Sequence, residues 1–333
     1  MKSIFLCEDL NCPLGVYSEE TIKLLEKEAE LSRTVYNKEY LKNNKEKFAH
    51  TEYIFSTWSM TQLSEDEIRE YLPSLKAVFY AAGTVQYFAR PFLNCGIGVY
   101  SAWAANAVPV AEYTVAQIVL ANKGFYRASA VMKAGNPTAA RDISKGYIGN
   151  FGANIGIIGA GMIGKLVIEM LKAYKLNVLV FDPFLPQEKA EELGVKKCGL
   201  EELFESCQVV SNHLANNEQT KGRLNGAMFE KLPLNATFLT TGRGAQVVES
   251  ELAEVLEARP DVVAILDVTE PEPPLENSPF YTLPNCILTP HIAGSSGKEV
   301  NRMAEYAAEE FLRYKNGEET RYGVTLKMLE TMA

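Results

Sequence analysis

Three residues in the second half of this 333-residue chain carry side chains that could act on a carboxylic acid substrate. Arg243 lies between two glycines, Glu272 precedes a proline, and His291 follows a proline after an apolar run. A guanidinium can clamp a carboxylate through two parallel hydrogen bonds, and a histidine beside a carboxylate can take up and return a proton near neutral pH. Hydride chemistry at C2 of a 2-hydroxy acid requires these groups. The ordinary alternatives are a flexible surface loop for Arg243, a loop acid for Glu272 and a hydrogen-bonded histidine for His291.

A glycine-rich turn could hold the cofactor for such a transfer. The apolar run Asn154–Ile158 leads into this turn, and an amphipathic helix follows it. Gly159 would permit the tight bend, Gly161 would let the backbone approach a pyrophosphate, and Gly164 would let the helix pack closely on the strand. Free N–H groups at the start of the helix would then bind the diphosphate.

An acidic residue stands where a ribose would be bound. The next apolar run, Asn177–Phe181, ends at Asp182, which follows Gly164 by 18 residues. A carboxylate at this position accepts hydrogen bonds from ribose hydroxyls and repels a 2′-phosphate. Pro183 comes next, where an NADP enzyme more often has an arginine. The pattern predicts NAD, and the alternative is a glycine turn in an unrelated α/β fold with Asp182 as a helix cap.

Short β-type runs alternate with helical runs twice along the chain, once up to about Val99 and again from Asn154. This alternation predicts an α/β protein with two doubly wound parallel-sheet domains. The predicted strands are Ser3–Cys7, Tyr53–Ser56, Ala77–Tyr80, Asn154–Ile158, Asn177–Phe181, Gln208–Asn212, Ala236–Thr240 and Val262–Leu266.

The helical runs include a long one, Val108–Lys133, which is predicted to join the two sets. Two capping boxes are predicted, from Ser64 with Glu67 and from Ser296 with Glu299. The other predicted helices are Glu19–Leu31, Glu65–Tyr71, Lys165–Tyr174 and Glu249–Glu257.

Composition excludes several classes of protein. The net charge of −9 comes without a basic cluster, which argues against nucleic acid as a main partner. The six cysteines are widely spaced, which predicts free thiols in a reducing cytosol and no metal site. The start of the chain lacks a signal-peptide core, and polar residues interrupt the apolar stretch Cys95–Asn122. We therefore expect a cytoplasmic protein without a membrane partner.

Several motifs in order resemble the D-isomer-specific 2-hydroxyacid dehydrogenase family, which includes phosphoglycerate, glycerate and D-lactate dehydrogenases. The resemblance extends from about Ser56 to Lys315 and is strongest from Asn154 to Ser296. The motifs that carry it are the glycine turn, Asp182, the run Val209–His213 followed by Thr220, the Thr-Gly-Arg-Gly turn at Arg243, the segment Asp267–Glu272 and Thr289-Pro-His291.

The resemblance implies a role for each member of the catalytic set. Arg243 would clamp the substrate carboxylate and polarise the C2 oxygen. His291 would take the hydroxyl proton during oxidation and return it during reduction. Glu272, rather than the nearby Glu270, would hydrogen-bond His291 and fix its ring.

The resemblance also implies the NAD site. His213 matches a histidine near the cofactor, although the family usually has a proline two residues later and this chain has Ala215. His50 follows a polar stretch and is expected at the surface. The implied cofactor-binding residues are Gly159, Gly161, Met162, Ile163, Gly164, Asp182, His213, Thr241, Asp267, which would orient the nicotinamide carboxamide, and Gly294.

A flavodoxin-like substrate domain would comprise residues 1–103 and 293–333, and a Rossmann-type NAD domain residues 104–292. The implied substrate-binding residues are Trp58, Tyr80, Gly83 and Thr84, together with Arg243. The loops Ser56–Met60 and Tyr80–Val85 contain no Lys or Arg, which favours an unphosphorylated substrate. The alternative is that their aromatic residues belong to the core.

Kinship implies a homodimer built on the NAD domain through the long helix. Two other functions fit the same fold. One is a non-enzymatic NAD(H)-sensing regulator of corepressor type, which would bind the cofactor without turnover. The other is formate oxidation, which Glu272 disfavours because the family's formate enzymes pair the histidine with Gln.

Overall fold

A computed structural model describes residues 2–330. Its strands, in chain order, are β1 Ser3–Leu6, β2 Leu31–Tyr36, β3 Tyr53–Ser56, β4 Ala77–Tyr80, β5 Gly98–Ser101, β6 Phe151–Ile158, β7 Lys175–Phe181, β8 Lys196–Lys197, β9 Val209–Asn212, β10 Thr237–Thr240, β11 Val263–Leu266 and β12 Cys286–Leu288. The helices are α1 Cys12–Val16, α2 Glu19–Ala29, α3 Lys38–Asn43, α4 Lys45–Phe48, α5 Glu65–Tyr71, α6 Ala89–Asn94, α7 Trp103–Ala121, α8 Phe125–Lys133, α9 Pro137–Lys145, α10 Met162–Leu171, α11 Gln187–Leu193, α12 Leu200–Ser206, α13 Gly226–Phe229, α14 Glu249–Ala258 and α15 Glu299–Asn316.

The chain forms two compact units. One unit contains the residues up to Asn106 and those from Ser295 onward, and we call it the split unit. The other spans Ala107–Gly294, and we call it the central unit. The first boundary therefore falls inside α7, between residues 106 and 107. The sequence analysis placed this boundary between residues 103 and 104.

The split unit is built on a five-stranded parallel sheet of order β2-β1-β3-β4-β5. Every residue of β1, β3 and β4 is buried, because helices cover both faces of a parallel sheet. The last helix, α15, packs against α2 and β4 of this unit. Beyond α15, the buried Glu310 accepts hydrogen bonds from the backbone N–H groups of Arg321 and Tyr322, which fastens the following segment.

The central unit is built on a seven-stranded parallel sheet of order β12-β11-β10-β9-β6-β7-β8. The chain starts at β6 in the middle, runs outward through β7 and β8, and then returns to β9 on the other side. A reversal of this kind opens a crevice at the carboxyl ends of the strands, where doubly wound sheets bind ligands. Together the two sheets confirm the fold class predicted from the alternation of runs.

The prediction of one continuous helix over Val108–Lys133 is wrong, because the structure has two helices there, α7 and α8. Gly124 separates them with a left-handed φ of 66°. A Cβ atom added at Gly124 would lie 2.4 Å from Cδ2 of Tyr147, so the site favours glycine on steric grounds as well. The break follows from this close packing.

Among residues 2–330, α7 alone is long and apolar enough to cross a membrane by length and composition. Core helices of folded proteins satisfy the same two criteria. Ala105, Ala111 and Ile118 of this helix are fully buried.

The two predicted capping boxes have different outcomes. At Ser64 the box is complete, because the Ser64 side chain accepts from the Glu67 N–H and the Glu67 side chain accepts from the Ser64 N–H. At Ser296 only the second of these bonds forms, and α15 begins after Lys298 without a side-chain cap. Gly297, with a φ of 54°, displaces the helix start from Ser296.

Candidate functional site

The predicted NAD and catalytic residues of the central unit follow the carboxyl ends of its strands. Gly159 comes directly after β6, Asp182 after β7 and His213 after β9. Thr241 follows β10, and Asp267 follows β11. Because parallel strands all end at the same edge of a sheet, these segments lie side by side in the crevice.

The glycine turn has the geometry that a diphosphate requires. Gly159 has a φ of 90°, and a Cβ atom there would lie 2.9 Å from the His213 carbonyl oxygen. A Cβ atom at Gly164 would lie 2.0 Å from the Gly159 carbonyl oxygen, so only glycine lets α10 pack this closely. A Cβ atom at Gly161 would meet no protein atom within 4 Å, and no side chain caps α10. Open space beside uncapped N–H groups fits a bound dinucleotide.

Asp182 links the glycine turn to the loop after β7. Its Oδ2 accepts a hydrogen bond from Ala160 N at 2.7 Å, and its Oδ1 accepts one from Phe184 N at 2.8 Å. Each carboxylate oxygen has a further lone pair that a ribose hydroxyl could use. Phe184, which the sequence analysis did not select, is 90% exposed beside this carboxylate.

His213 is buried between the ends of β9 and β10. Its Nε2 lies 2.9 Å from Ser211 Oγ, and its Nδ1 lies 3.3 Å from Thr241 Oγ1. Burial lowers the pKa of His213 from 6.5 to about 4, because an imidazolium there would lose its hydration. His213 is therefore neutral at physiological pH, and it fixes the position of Thr241.

The glycines beside Arg243 provide close packing rather than flexibility. A Cβ atom at Gly242 would lie 2.6 Å from Gln246 Oε1, and one at Gly244 would lie 2.0 Å from the Thr269 carbonyl carbon. Neither glycine has a positive φ. The Arg243 turn is thus pressed against the segment that leads to Glu272, and the flexible-loop alternative does not describe it.

The guanidinium of Arg243 is available to an anion. Its Nη1 donates to the Gly242 carbonyl oxygen at 2.7 Å, and within residues 2–330 no carboxylate lies at ion-pair distance from it. Burial lowers the pKa of Arg243 below its usual value, while the charge of Glu272 acts in the opposite direction. An arginine remains protonated under such conditions, so the site presents a partly desolvated cation that makes no direct ion pair with the described residues.

Two buried amides that the sequence analysis missed hold the Arg243 turn. Asn212 Nδ2 donates to Gln246 Oε1 at 2.7 Å, and Gln246 Nε2 donates to the Leu214 carbonyl oxygen at 2.8 Å. Arg243 N also donates to Gln246 Oε1, at 3.3 Å. Asn212 could have been selected from the sequence, because it ends an apolar strand and a buried amide there needs hydrogen-bond partners.

Glu272 and His291 form a direct pair. His291 Nδ1 lies 2.7 Å from Glu272 Oε1, and both side chains are nearly half exposed, at 46% and 41% respectively. The contact orients the ring, and Nε2 has no hydrogen-bond partner among residues 2–330. His291 has a φ of 55°, an uncommon left-handed conformation for a residue with a side chain.

Asp267 holds the segment that carries His291. This buried carboxylate accepts from Thr289 Oγ1 at 2.6 Å, from Ile292 N at 2.8 Å and from Ala293 N at 2.9 Å. Its backbone carbonyl accepts from His291 N at 3.1 Å. These bonds stabilise the strained conformation of His291, in addition to any contact that Asp267 makes with a nicotinamide.

In the split unit, the predicted substrate residues differ in exposure. Trp58 is 41% exposed and Thr84 is also exposed, with Gly83 half-buried beside it. Tyr80 is only 1% exposed, and its hydroxyl lies 3.2 Å from that of Tyr87. A direct substrate contact by Tyr80 does not fit this burial. The burial of Tyr80 agrees with the alternative that it is a core residue, whereas Tyr87 is 40% exposed.

The fold and site define a dinucleotide-binding protein of the doubly wound class. Residues 115–293 match the family model described as the D-isomer specific 2-hydroxyacid dehydrogenase, NAD binding domain. The chain belongs to this family, and NAD is the cofactor of the matched domain.

The similar proteins include a D-3-phosphoglycerate dehydrogenase and a glyoxylate reductase. The D-3-phosphoglycerate dehydrogenase of Archaeoglobus fulgidus is 32% identical over 235 residues, which cover 71% of this chain and 44% of the relative. The glyoxylate reductase of Korarchaeum cryptofilum is 29% identical over 262 residues, covering 78% of this chain and 79% of the relative. The chain spans about half the length of the phosphoglycerate dehydrogenases that it matches.

Solved structures share the fold. A phosphoglycerate oxidoreductase from Rhizobium etli superposes with a TM-score of 0.82 at 20% identity, covering 98% of this chain and 99% of that one. The D-mandelate dehydrogenase of Rhodotorula graminis superposes with a TM-score of 0.80 at 16% identity, covering 97% of each chain.

Proposed function

We propose that this protein transfers a hydride between NAD(H) and C2 of a small 2-hydroxy or 2-oxo acid. The observation that carries the proposal is the 2.7 Å contact between Glu272 and His291. Glu272 and His291 form an acid–base pair, and Arg243, which follows the neighbouring strand β10, supplies a cation with no ion-pair partner among residues 2–330. Hydride chemistry on a hydroxy acid needs both, whereas cofactor sensing alone needs neither.

Each side chain would have a separate task. Arg243 would bind the substrate carboxylate with its free N–H groups. His291 would take the hydroxyl proton at Nε2, because Glu272 already holds Nδ1, and Glu272 would stabilise the positive charge that forms on the ring. When bound, NAD supplies the ring that accepts or donates the hydride. In the reductive direction His291 would return the proton to the C2 oxygen.

The substrate we propose is unphosphorylated. The loops that the family resemblance assigns to it contain no Lys or Arg, and Trp58 in the first loop is exposed. Tyr87, two residues beyond the second loop, is exposed as well. A phosphate would require a cation there, whereas aromatic rings favour an apolar substrate side chain. Because some relatives are described as D-3-phosphoglycerate dehydrogenases, a phosphorylated acid is the substrate against which this proposal should be tested.

A substrate screen tests this proposal. NADH oxidation would be followed with 2-oxo acids bearing hydrogen, methyl, branched or aromatic side chains, and with phosphohydroxypyruvate. We expect turnover of at least one unphosphorylated acid. A strong preference for phosphohydroxypyruvate would refute the proposal of an unphosphorylated substrate but not that of hydride transfer. NADH binding without turnover of any acid would favour the regulator instead.

The acid–base role makes a sharper prediction. His291→Ala should lower kcat by roughly 10²- to 10⁴-fold, the usual contribution of a general acid–base group, and leave NADH affinity nearly unchanged. His50→Ala is the matched control, because His50 is an exposed histidine of the split unit. Normal turnover by His291→Ala would assign the proton transfer to another group.

We also propose a cytoplasmic location. Its support is that the six cysteines are all free thiols, as is usual in a reducing compartment. Labelling of the native protein with a thiol reagent in cell extracts, before and after reduction, would test it.

A further inference from the structure

Glu249 contacts the segment that carries Glu272, although no step of the proposed mechanism uses it. The Arg243 turn continues through Gln246 into α14, and Glu249 is the first residue of that helix. Its Oε1 accepts a hydrogen bond from Glu270 N at 2.7 Å. Glu270 precedes Glu272 by two residues, so this single bond connects the Arg243 segment to the Glu272 segment.

The same carboxylate is also close to the strand that leads to His291. Burial raises the pKa of Cys286 in β12 to about 12, and the charge of Glu249 adds to this shift. Burial likewise raises the pKa of Glu249 itself. The carboxylate is thus partly desolvated among the segments of Arg243, Glu272 and His291.

The Glu272 turn has few other means of attachment through its backbone. Pro271, Pro273 and Pro274 have no N–H group, so only Glu270 and Glu272 can donate from residues 270–274. The Thr269 hydroxyl donates to the Pro271 carbonyl oxygen at 2.9 Å, a bond within the turn itself. Among residues 2–330, the Glu249 bond is the one contact in which a backbone N–H of this turn donates to another segment, while the Tyr281 hydroxyl donates to the Pro274 carbonyl oxygen at 3.2 Å.

We infer that Glu249 is a positioning residue for the Glu272–His291 pair, fastening the turn that carries Glu272 at its correct distance from Arg243. This inference rests on the proposed function. Glu249 would act only through the Glu270 N–H and would not touch the substrate. The competing explanation is that an acidic residue in the first turn of α14 merely stabilises the helix.

Glu251 provides a control that separates these explanations. It lies in the same first turn, and its Oε2 accepts from the Gly226 N–H at 2.6 Å. Glu249→Ala and Glu251→Ala therefore each remove one acidic residue and one carboxylate–backbone bond from α14. Only the first releases the Glu272 turn.

The experiment compares Glu249→Ala, Glu249→Gln, Glu249→Asp and Glu251→Ala. Glu249→Ala should lower kcat by roughly 10- to 100-fold, the cost expected from slight misplacement of a catalytic group, with NADH affinity unchanged. Glu249→Gln should restore most of the activity, because its amide oxygen can still accept the hydrogen bond. Glu249→Asp keeps the charge, but its shorter side chain moves the carboxylate oxygens away from the Glu270 N–H, so its activity should resemble that of Glu249→Ala. If Glu249→Ala folds poorly, Glu249→Asp takes its place in the comparison.

A second readout does not depend on turnover. The chain has three histidines, so the Cε1 proton resonance of His291 can be assigned by its loss in His291→Ala. Glu249→Ala should displace this resonance in the same direction as Glu272→Gln does, and Glu251→Ala should not. The inference would be overturned by an unchanged resonance in Glu249→Ala, or by equal effects of the two alanine variants. If no substrate is found, the proposed function fails while the resonance still tests Glu249.

Discussion

Two histidines of the central unit have opposite surroundings, and this difference determines what each can do. His213 is buried, with hydroxyl groups at both nitrogens and no charged partner in the described part of the chain. His291 is nearly half exposed and contacts a carboxylate. Only the second arrangement can accommodate a transient positive charge, because the first provides neither water nor a counter-ion. We therefore propose a structural role for His213 and a proton-transfer role for His291.

The burial of His213 predicts a pH-dependent stability. Its folded pKa of about 4 lies below the usual 6.5, so the unfolded chain binds more protons between these values. The stabilisation is complete above pH 6.5 and is lost as the pH falls toward 4, by up to about 3 kcal/mol. Urea unfolding at pH 7 and pH 4.5 measures this loss. Between pH 7 and pH 4.5, His213→Gln should lose less free energy of unfolding than the unmodified protein. His50→Gln, the control, should lose as much as the unmodified protein. Identical losses in all three proteins would contradict the prediction.

The turns after the strands are the elements that shape this site. Gly159 lets the turn after β6 approach the His213 backbone, Gly164 lets α10 approach that turn, and Gly244 lets the Arg243 turn approach Thr269. In each case a missing Cβ atom allows two backbone segments to touch. Rigid backbone contacts of this kind keep functional side chains at fixed distances.

Gly244→Ala tests this function of the turns. Its Cβ atom would lie 2.0 Å from the Thr269 carbonyl carbon, so the Arg243 and Glu272 segments must separate. We expect a loss of about 1–3 kcal/mol in the free energy of unfolding and a clear fall in kcat. Gly161→Ala is the contrasting variant, because no protein atom lies within 4 Å of the added carbon. It should fold with nearly normal stability and bind NADH more weakly. Equal stability of the two variants would argue against the packing explanation.

At the scale of the whole molecule, the central unit exposes apolar side chains on α7, α8 and the segment before and within β6. They are Leu120, Phe125, Met132, Ile148 and Phe151, with exposures from 37% to 72%. Hydrogen bonds of Asn122 with Gly149 and Asn150 bring these two parts of the chain together. Apolar residues grouped in this way at a surface mark an interaction site, and we propose that a second copy of the chain covers it.

The proposed dimer can be measured directly. Light scattering after size-exclusion chromatography should give twice the monomer mass of 36.9 kDa. Met132→Glu and Phe151→Glu should shift the protein toward the monomer, because each would bury a charge in the interface. Phe184→Glu is the control, since Phe184 is an exposed aromatic residue at the cofactor edge of the same unit. A monomeric unmodified protein would rule out the dimer.

The sequence alone determined the features that depend on neighbours along the chain. The strand, glycine turn, helix and acid from Asn154 to Asp182 were recognisable because each step constrains the next one locally. The family resemblance added Arg243, Glu272 and His291 as a set. The break at Gly124 was missed because its cause, the Tyr147 ring, lies more than twenty residues away.

Only the tertiary structure decided the contacts between distant segments. The burial of His213 and of Tyr80 and the link from Glu249 to Glu270 depend on which strands are neighbours. The pairing of Glu272 with His291 was implied by the family resemblance, and the structure supplied its distance of 2.7 Å. Hydrogen bonds and desolvation change steeply over a few tenths of an ångström, whereas residue spacing in a sequence says nothing about distance across a sheet. The candidate residues could therefore be chosen from the sequence, but their burial, and the partners that no family resemblance implied, could not.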